Sequence, residues 1–230
     1  DSVIKQYGLE DAKYYIFMNL GDAYDKLDNT DSAFSYFNKS LILSNNLKND
    51  DYIGNSMTGL GHTYLKQKNY PFALLNYRTA ITHLEIANDD IVLCEATLGL
   101  ATLFQKQNLS DSAVFYANRS LSIAVKGGFL EKQLEATEFL ARHYDEIKNT
   151  DSAFAYLKKV QVLNDSVNSK SKIREIQMIS GNERLRQLEI EENRKIAQRE
   201  RKQQLQYLFI GIFIPGFFLL TLLLSRIRIH

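Results

Sequence analysis

Residues 29–37 read NTDSAFSYF, and residues 149–157 read NTDSAFAYL. A third version, LSDSAVFYA, occupies residues 109–117. The three copies begin at positions 29, 109 and 149, which are separated by multiples of 40. A fixed spacing between about 20 and 50 residues is typical of proteins built from stacked structural repeats. This stretch therefore predicts a repeat architecture.

A period of 40 residues aligns the N-terminal two thirds of the chain. One position is always leucine, the next is glycine or alanine, an aromatic residue follows three positions later, and alanine comes nine positions after that. The leucines are Leu20, Leu60, Leu100 and Leu140, the aromatics Tyr24, Tyr64, Phe104 and Tyr144, and the alanines Ala33, Ala73, Ala113 and Ala153. The opening stretch is thus one part of a unit that occurs four times.

Each unit predicts two helices joined by a short turn. Leucine, the small residue and the aromatic lie within four positions of one another and share a helix face. The small residue lets a second helix approach closely. The segments KLDNTD, KQKNYP, QKQNLS and EIKNTD come next, and their Asn, Asp and Pro residues are typical of helix starts. The alanine and the residues four and seven positions after it form one face of the second helix.

This pattern resembles the tetratricopeptide repeat. The copy that matches it best consists of Leu60, Gly61, Tyr64, Ala73, Tyr77 and Ala80. The family unit is about 34 residues long, whereas the unit here has 40, and a longer second helix and turn account for the difference. The resemblance covers about residues 10–165. It implies an all-α solenoid in which the first helix of each repeat lines a concave groove.

The predicted fold is therefore all-α: a TPR-like α-solenoid of helix-turn-helix repeats, followed by a charged helical stalk and a transmembrane helix. Residues 1–10 are expected to be the end of a preceding repeat, and residues 11–165 to form four repeats. The predicted repeats are 11–50, 51–90, 91–130 and 131–165, and the later segments are 166–204, 205–225 and 226–230.

The stalk, residues 166–204, has no repeat phase. More than half of the residues from Glu183 to Lys202 are charged, with both signs mixed. Such a pattern is typical of a solvated helix stabilised by pairs of side chains three or four positions apart. Its apolar positions look helical without a sustained heptad repeat. A weak coiled coil that forms a homodimer is one interpretation, and a solitary helix is the other.

Residues 205–225 contain no charged side chain. An apolar stretch of this length predicts a transmembrane helix, so a single-pass membrane location is expected, with the membrane as a partner through residues 205–225. Arg226 and Arg228 follow, and residues 226–230 are expected to begin a truncated segment beyond the span. Basic residues before the span favour a cytoplasmic repeat region. The resemblance to bacterial membrane-anchored TPR signalling proteins favours an extracytoplasmic (periplasmic) one, which is the preferred prediction.

Composition and motifs argue against most kinds of chemistry. The 28 basic and 27 acidic residues nearly cancel, so nucleic-acid binding is not expected. A single cysteine, Cys94, excludes an internal disulfide and a cysteine-based metal cluster. No HExxH motif or glycine-rich phosphate loop occurs, and DNTDSAF lacks the Gly and Glu of a calcium loop. The chain is predicted to use no metal or cofactor and not to be an enzyme.

The candidate binding site is the groove that the resemblance implies. The position after each small residue is expected to point into it, namely Asp22, His62, Thr102 and Arg142. Neighbouring candidates are Asn55, Lys66, Glu95, Gln105, Glu138 and Asp145. Some family members clamp a peptide's terminal carboxylates with groove Lys and Asn residues, a set that this groove does not reproduce. An anionic group held by His62 and Arg142 is one interpretation, and a mixed, solvated face is the other.

These observations predict a non-catalytic module that binds a protein or peptide and is anchored to a membrane as the sensing or scaffolding part of a bacterial signalling protein. Two alternatives stay open. The chain could be a passive structural scaffold or assembly factor. It could also be the input half of a sensor kinase or membrane transcription regulator whose output domain lies beyond His230.

Overall fold

The computed structural model describes the backbone of residues 2–227, and the side chains of residues 8–9, 11–173, 175, 177–208, 210, 213 and 215–216. Over residues 2–227 the chain forms eight α-helices and no strand. They are α1 (Ser2–Lys26), α2 (Thr30–Leu47), α3 (Asp50–Lys66), α4 (Tyr70–Ala87), α5 (Asp90–Lys106), α6 (Ser110–Gly127), α7 (Leu130–Glu146) and α8 (Thr150–Ile227). The prediction of an all-α, TPR-like solenoid is confirmed.

The helices recur with the period of the sequence. α3, α5 and α7 begin at residues 50, 90 and 130, and α2, α4, α6 and α8 begin at 30, 70, 110 and 150. α1 begins at Ser2, so the backbone of residues 2–10 is continuous with the first helix. The division of the chain into the predicted segments, including a repeat before residue 11, stays a prediction.

The turns between helices share one backbone conformation. A residue in the left-handed region occurs every 20 positions, with φ between 52° and 70°: Asp28, Lys48, Lys68, Asn88, Asn108, Gly128 and Lys148. This conformation ends a helix and reverses the chain. Several of the helices that follow are capped by a side chain, as at Asn29, whose amide oxygen accepts from the Ser32 backbone N–H at 3.1 Å. The Asn-rich breaks in the sequence therefore form tight turns.

Glycines let the helices approach a single large ring in each of the first two repeats. Phe37 lies between Gly21 and Gly59, where an added Cβ would come within 2.5 Å of the ring. Tyr77 lies in the same way against Gly61 and Gly99, at 2.6 and 2.5 Å, and its side chain is fully buried. The small residue after each leucine thus permits close packing, as the sequence predicts.

The chain divides into two compact units, Asp1–Ser169 and Lys170–His230. In the second unit, α8 is uninterrupted through Gly181, which has no other residue within 4 Å of an added Cβ. Exposed charged side chains pair along the helix, as in the Glu191–Lys195 ion pair at 2.9 Å. The described part of this unit is therefore helical, and it carries exposed charged side chains up to Lys202.

The prediction of a single-pass membrane protein is corrected. Among the residues whose side chains the structure describes, no helix is long and apolar enough to cross a membrane, and the predicted transmembrane helix is not supported. Spanning takes about 20 consecutive apolar residues, and the described part of α8 is highly charged up to Lys202. Residues 209, 211–212, 214 and 217–225 of the predicted span lie outside the described side chains.

Candidate functional site

A shallow cavity of about 340 Å³ opens on the surface formed by the first helices of three successive repeats, α3, α5 and α7. Its lining combines aliphatic, hydroxyl, basic and acidic side chains. The lining residues are His62, Leu65, Glu95, Leu98, Gly99, Thr102, Lys132 and Glu135. Because all of them come from first helices, this cavity lies in the groove that the sequence predicted to be the binding face.

His62, which lines this cavity, connects three helices. Its Nδ1 lies 2.7 Å from the hydroxyl of Tyr77 on α4, and its Nε2 lies 3.1 Å from Oε1 of Glu95 on α5. An ionised carboxylate can only accept, so the Nε2–H donates to Glu95. In the neutral imidazole, Nδ1 then accepts from the Tyr77 O–H. Burial, and then the charge of Glu95, raises the pKa of Tyr77 well above its ordinary value, so this phenol stays a donor.

Glu95 is held in its ionised form. The hydrogen bond from His62 lowers the pKa of Glu95 to about 2, against the opposing effect of desolvation, and the charge of Lys132 adds to the lowering. Lys132 on α7 lies 3.4 Å from Oε2 of Glu95 and 3.0 Å from Glu135. Partial burial alone would lower the pKa of Lys132, but these two carboxylates raise it. A chain of polar contacts therefore crosses all three helices.

Three other residues follow the small residue of a repeat and are predicted to point into the groove, and their surroundings differ. Thr102 lines the cavity, and its hydroxyl donates to the Leu98 carbonyl at 3.0 Å. Asp22 on α1 is exposed at the surface, but neighbouring protein atoms partly desolvate its carboxyl group. This desolvation, and then the charge of Glu95, raises the pKa of Asp22. Arg142 on α7 is exposed and makes no ion pair with the described residues. The structure thus brings His62 and Thr102 together and leaves Arg142 apart.

Three further predicted residues are committed to partners within the array. Asn55 donates to Asp51 at 3.0 Å. Lys66 forms ion pairs with Asp25 at 3.0 Å and Asp28 at 3.1 Å, which link α3 to the end of α1. Gln105 of α5 donates to Glu146 of α7. The Lys66 and Gln105 contacts join first helices of neighbouring repeats, whereas the Asn55 contact lies within α3.

Glu138 and Asp145, the last two predicted groove residues, lie on α7. Glu138 is half-buried and Asp145 is exposed. Neither makes an ion pair or a side-chain hydrogen bond with the described residues. They do not line the cavity.

Sequence reasoning missed Lys132, Glu135, Leu65, Leu98 and Gly99 in the cavity. The 40-residue period alone could have identified Glu135, because it lies 40 positions after Glu95, a residue that the sequence predicts to lie in the groove. Lys132 had no such signal, since it precedes the repeat motif and its contacts depend on how α7 packs beside α5. Among the described residues, no group of three His, Cys, Asp or Glu side chains could hold a metal ion.

Comparison with known families identifies the repeat. Residues 13–86 match the family model described as tetratricopeptide repeat. Residues 13–86 are therefore tetratricopeptide repeats. The matched segment comprises most of α1, all of α2 and α3, and nearly all of α4, and it includes the best-matching copy in the sequence. No curated protein sequence matches the chain.

Solved structures share the fold of the tetratricopeptide array. Aspartyl phosphate phosphatase F from Bacillus subtilis superimposes with a TM-score of 0.63 at 13% identity, over 68% of this chain and 41% of that one. The apo form of RapI gives 0.60 at 14% identity, over 69% and 58%. A STAND signal-transduction ATPase with a tetratricopeptide repeat sensor, from Pyrococcus horikoshii, gives 0.58 at 17%, over 71% and 25%. This chain therefore spans less than two thirds of each of these structures.

Proposed function

We propose that the chain is a non-catalytic module that binds a protein or peptide in the groove formed by α3, α5 and α7. The observation that carries this proposal is the cavity of about 340 Å³, which three successive first helices line with both apolar and polar side chains. Aliphatic side chains such as Leu65 and Leu98 offer contact area, and the polar side chains around them offer orientation, a combination typical of binding sites.

The groove is also preorganised. His62 and Lys132 are held by hydrogen bonds and ion pairs before any partner arrives. Side chains that are already ordered lose less conformational entropy on binding, so more of the contact energy appears as affinity. A rigid repeat array is suited to present such a surface to an extended peptide.

In its biological setting, we place this module in a bacterial signalling protein, as the sensing or scaffolding part. One structural neighbour is named for a tetratricopeptide repeat sensor within a signal-transduction ATPase. Another is named as an aspartyl phosphate phosphatase. The fold likeness and the binding groove support this assignment, which extends beyond the fold itself.

A photo-crosslinking experiment tests the groove assignment. The immobilised full chain is used to select binders from a displayed library of random peptides. Benzoylphenylalanine then replaces either Thr102, which lines the cavity, or Thr82, which is exposed on α4 outside it. Selected peptides should cross-link from position 102 and not from position 82. A library that yields no binder, or cross-links only from position 82, would overturn the proposal.

A homodimer through the stalk, residues 166–204 of α8, is a second part of the proposal. Leu185 and Leu188 lie three positions apart on α8 and expose 65% and 56% of their surface. Apolar side chains at spacings of three to four residues, flanked by charges, can pair between two helices. Paired helices would cover these side chains.

A further inference from the structure

Negative charge predominates in the cavity. Its lining contains the carboxylates of Glu95 and Glu135 and one ammonium group, that of Lys132, which pairs with both of them. The imidazole of His62 contacts Glu95 as well. A ligand that enters this cavity therefore meets two carboxylates and a single lysine.

Two carboxyl groups on first helices, Asp22 on α1 and Asp51 on α3, also have raised pKa values. Desolvation and then the charge of Glu95 raise the pKa of Asp22, although the charge of Lys26 opposes this rise. Desolvation and the neighbouring Asp89 raise the pKa of Asp51 to about 6, in a pair of carboxyls that share a hydrogen bond. Like charges raise the pKa of a carboxyl because they disfavour its ionised form. Both groups would be better stabilised by an added cation.

The cavity already contains the kind of group that would suit it. The Lys132 side chain is only 20% exposed, and its ammonium lies between the carboxylates of Glu95 and Glu135, at 3.4 and 3.0 Å. Leu98 and Gly99 also line this cavity and can accommodate an alkyl chain. The protein's own lysine thus shows that a flexible cationic side chain fits between these acids.

We infer that the partner of this groove is a peptide segment rich in lysine or arginine, whose cationic side chain binds to Glu95 and Glu135 in competition with Lys132. This inference rests on the proposed function and specifies its partner. Charge complementarity selects such a segment over an acidic one, because Glu95 and Glu135 would repel an acidic peptide.

The peptide selection described above provides the first test. Peptides recovered by the full chain should be enriched in lysine and arginine over the unselected library, and enrichment should weaken as salt is raised. Selected peptides with acidic or neutral composition would overturn the inference while leaving the proposed function intact. Selection of no peptide would overturn both.

Two substitutions with opposite expected effects provide the second test. Glu95→Gln should weaken binding of a selected basic peptide about fivefold, the effect of one partly exposed ion pair. Lys132→Met should strengthen binding of the same peptide by a similar factor, because it removes the internal competitor. Affinity is measured by fluorescence anisotropy, and far-ultraviolet circular dichroism verifies that each variant stays helical.

Glu85 and Arg119 supply matched controls. They form an ion pair between α4 and α6, outside the cavity. Glu85→Gln and Arg119→Met make the same charge changes and should leave peptide affinity unchanged. Unchanged affinity in Glu95→Gln, or weaker binding in Lys132→Met, would contradict the inference, since a cation that merely supports the fold would not compete with the peptide.

Discussion

Glu95 is the residue at which the groove of this array is organised. It accepts from His62 of the preceding repeat and pairs with Lys132 of the following one. Its carboxyl therefore joins first helices whose residues are more than 30 positions apart in sequence. Loss of its charge should affect both the binding surface and the contacts between repeats.

The stability of the protein should depend on the ionisation of Glu95. Its pKa in the folded state is about 2, below the ordinary value of 4.5. Its contribution is therefore present above about pH 4.5 and is lost as the pH falls towards 2. Because the carboxyl is partly exposed, solvent screening should limit this contribution to below about 1 kcal/mol.

Urea unfolding of Glu95→Gln across this pH range measures the effect. The variant should be less stable than the wild type above about pH 5, and the two should converge in acid. Glu189→Gln is the control: it removes the same charge from an exposed residue of α8 that makes no ion pair with the described residues. The difference in stability between this control and the wild type should not change with pH in this way. Equal pH dependence of Glu95→Gln and the wild type would show that Glu95 is not coupled to His62 and Lys132 as the geometry indicates.

At the level of helices, the third repeat places its large side chain on the other helix of a packed pair: a small residue replaces the aromatic ring, and an aromatic ring replaces the facing glycine. The ring position held by Phe37 and Tyr77 is Ala117 in α6, and the position of Gly59 and Gly99 is Phe139 in α7. Ala117 and Phe139 are buried in the same hydrophobic cluster. The large side chain thus comes from the first helix of the next repeat, and the α6–α7 contact is filled from the opposite side.

A double-mutant cycle tests this exchange. Ala117→Phe alone should overpack the contact and cost about 1–3 kcal/mol. Phe139→Gly alone should leave a cavity and cost about 3–5 kcal/mol. The double variant restores the arrangement of the second repeat and should be more stable than the sum of the two changes predicts. Urea unfolding measures each free energy.

An unrelated aromatic residue provides the reference for that cycle. Phe72 lies on α4, one repeat before Ala117, and stacks on Tyr64 of α3. Phe72→Gly combined with Ala117→Phe should therefore give additive costs. Additivity in the Ala117–Phe139 pair as well would mean that the two side chains do not substitute for each other.

The phase of the helices could be predicted from sequence because the residues that define it are local. Leucine, a small residue and an aromatic within four positions specify a helix face, and Asn before Asp specifies a helix start. The contacts of His62 and Lys132 could not be predicted from sequence, because they depend on how far each repeat is rotated relative to the preceding repeat. The continuity of α8 through Gly181 could not be predicted from local propensity either: glycine costs a helix about 1 kcal/mol relative to alanine, yet a long helix tolerates one such residue.

For the whole chain, the remaining question is how many copies associate. In the unit Lys170–His230, Leu185 and Leu188 are exposed three positions apart on α8, where pairing with a second helix would remove them from water. The full chain should therefore have the mass of a dimer in size-exclusion chromatography with light scattering. Replacing both leucines with Asp should shift it towards the monomer mass, because opposed carboxylates would repel at the contact. Ile190→Asp, on another face of the helix, should leave the dimer intact. A wild type of monomer mass, or a double variant of unchanged mass, would exclude pairing through this segment.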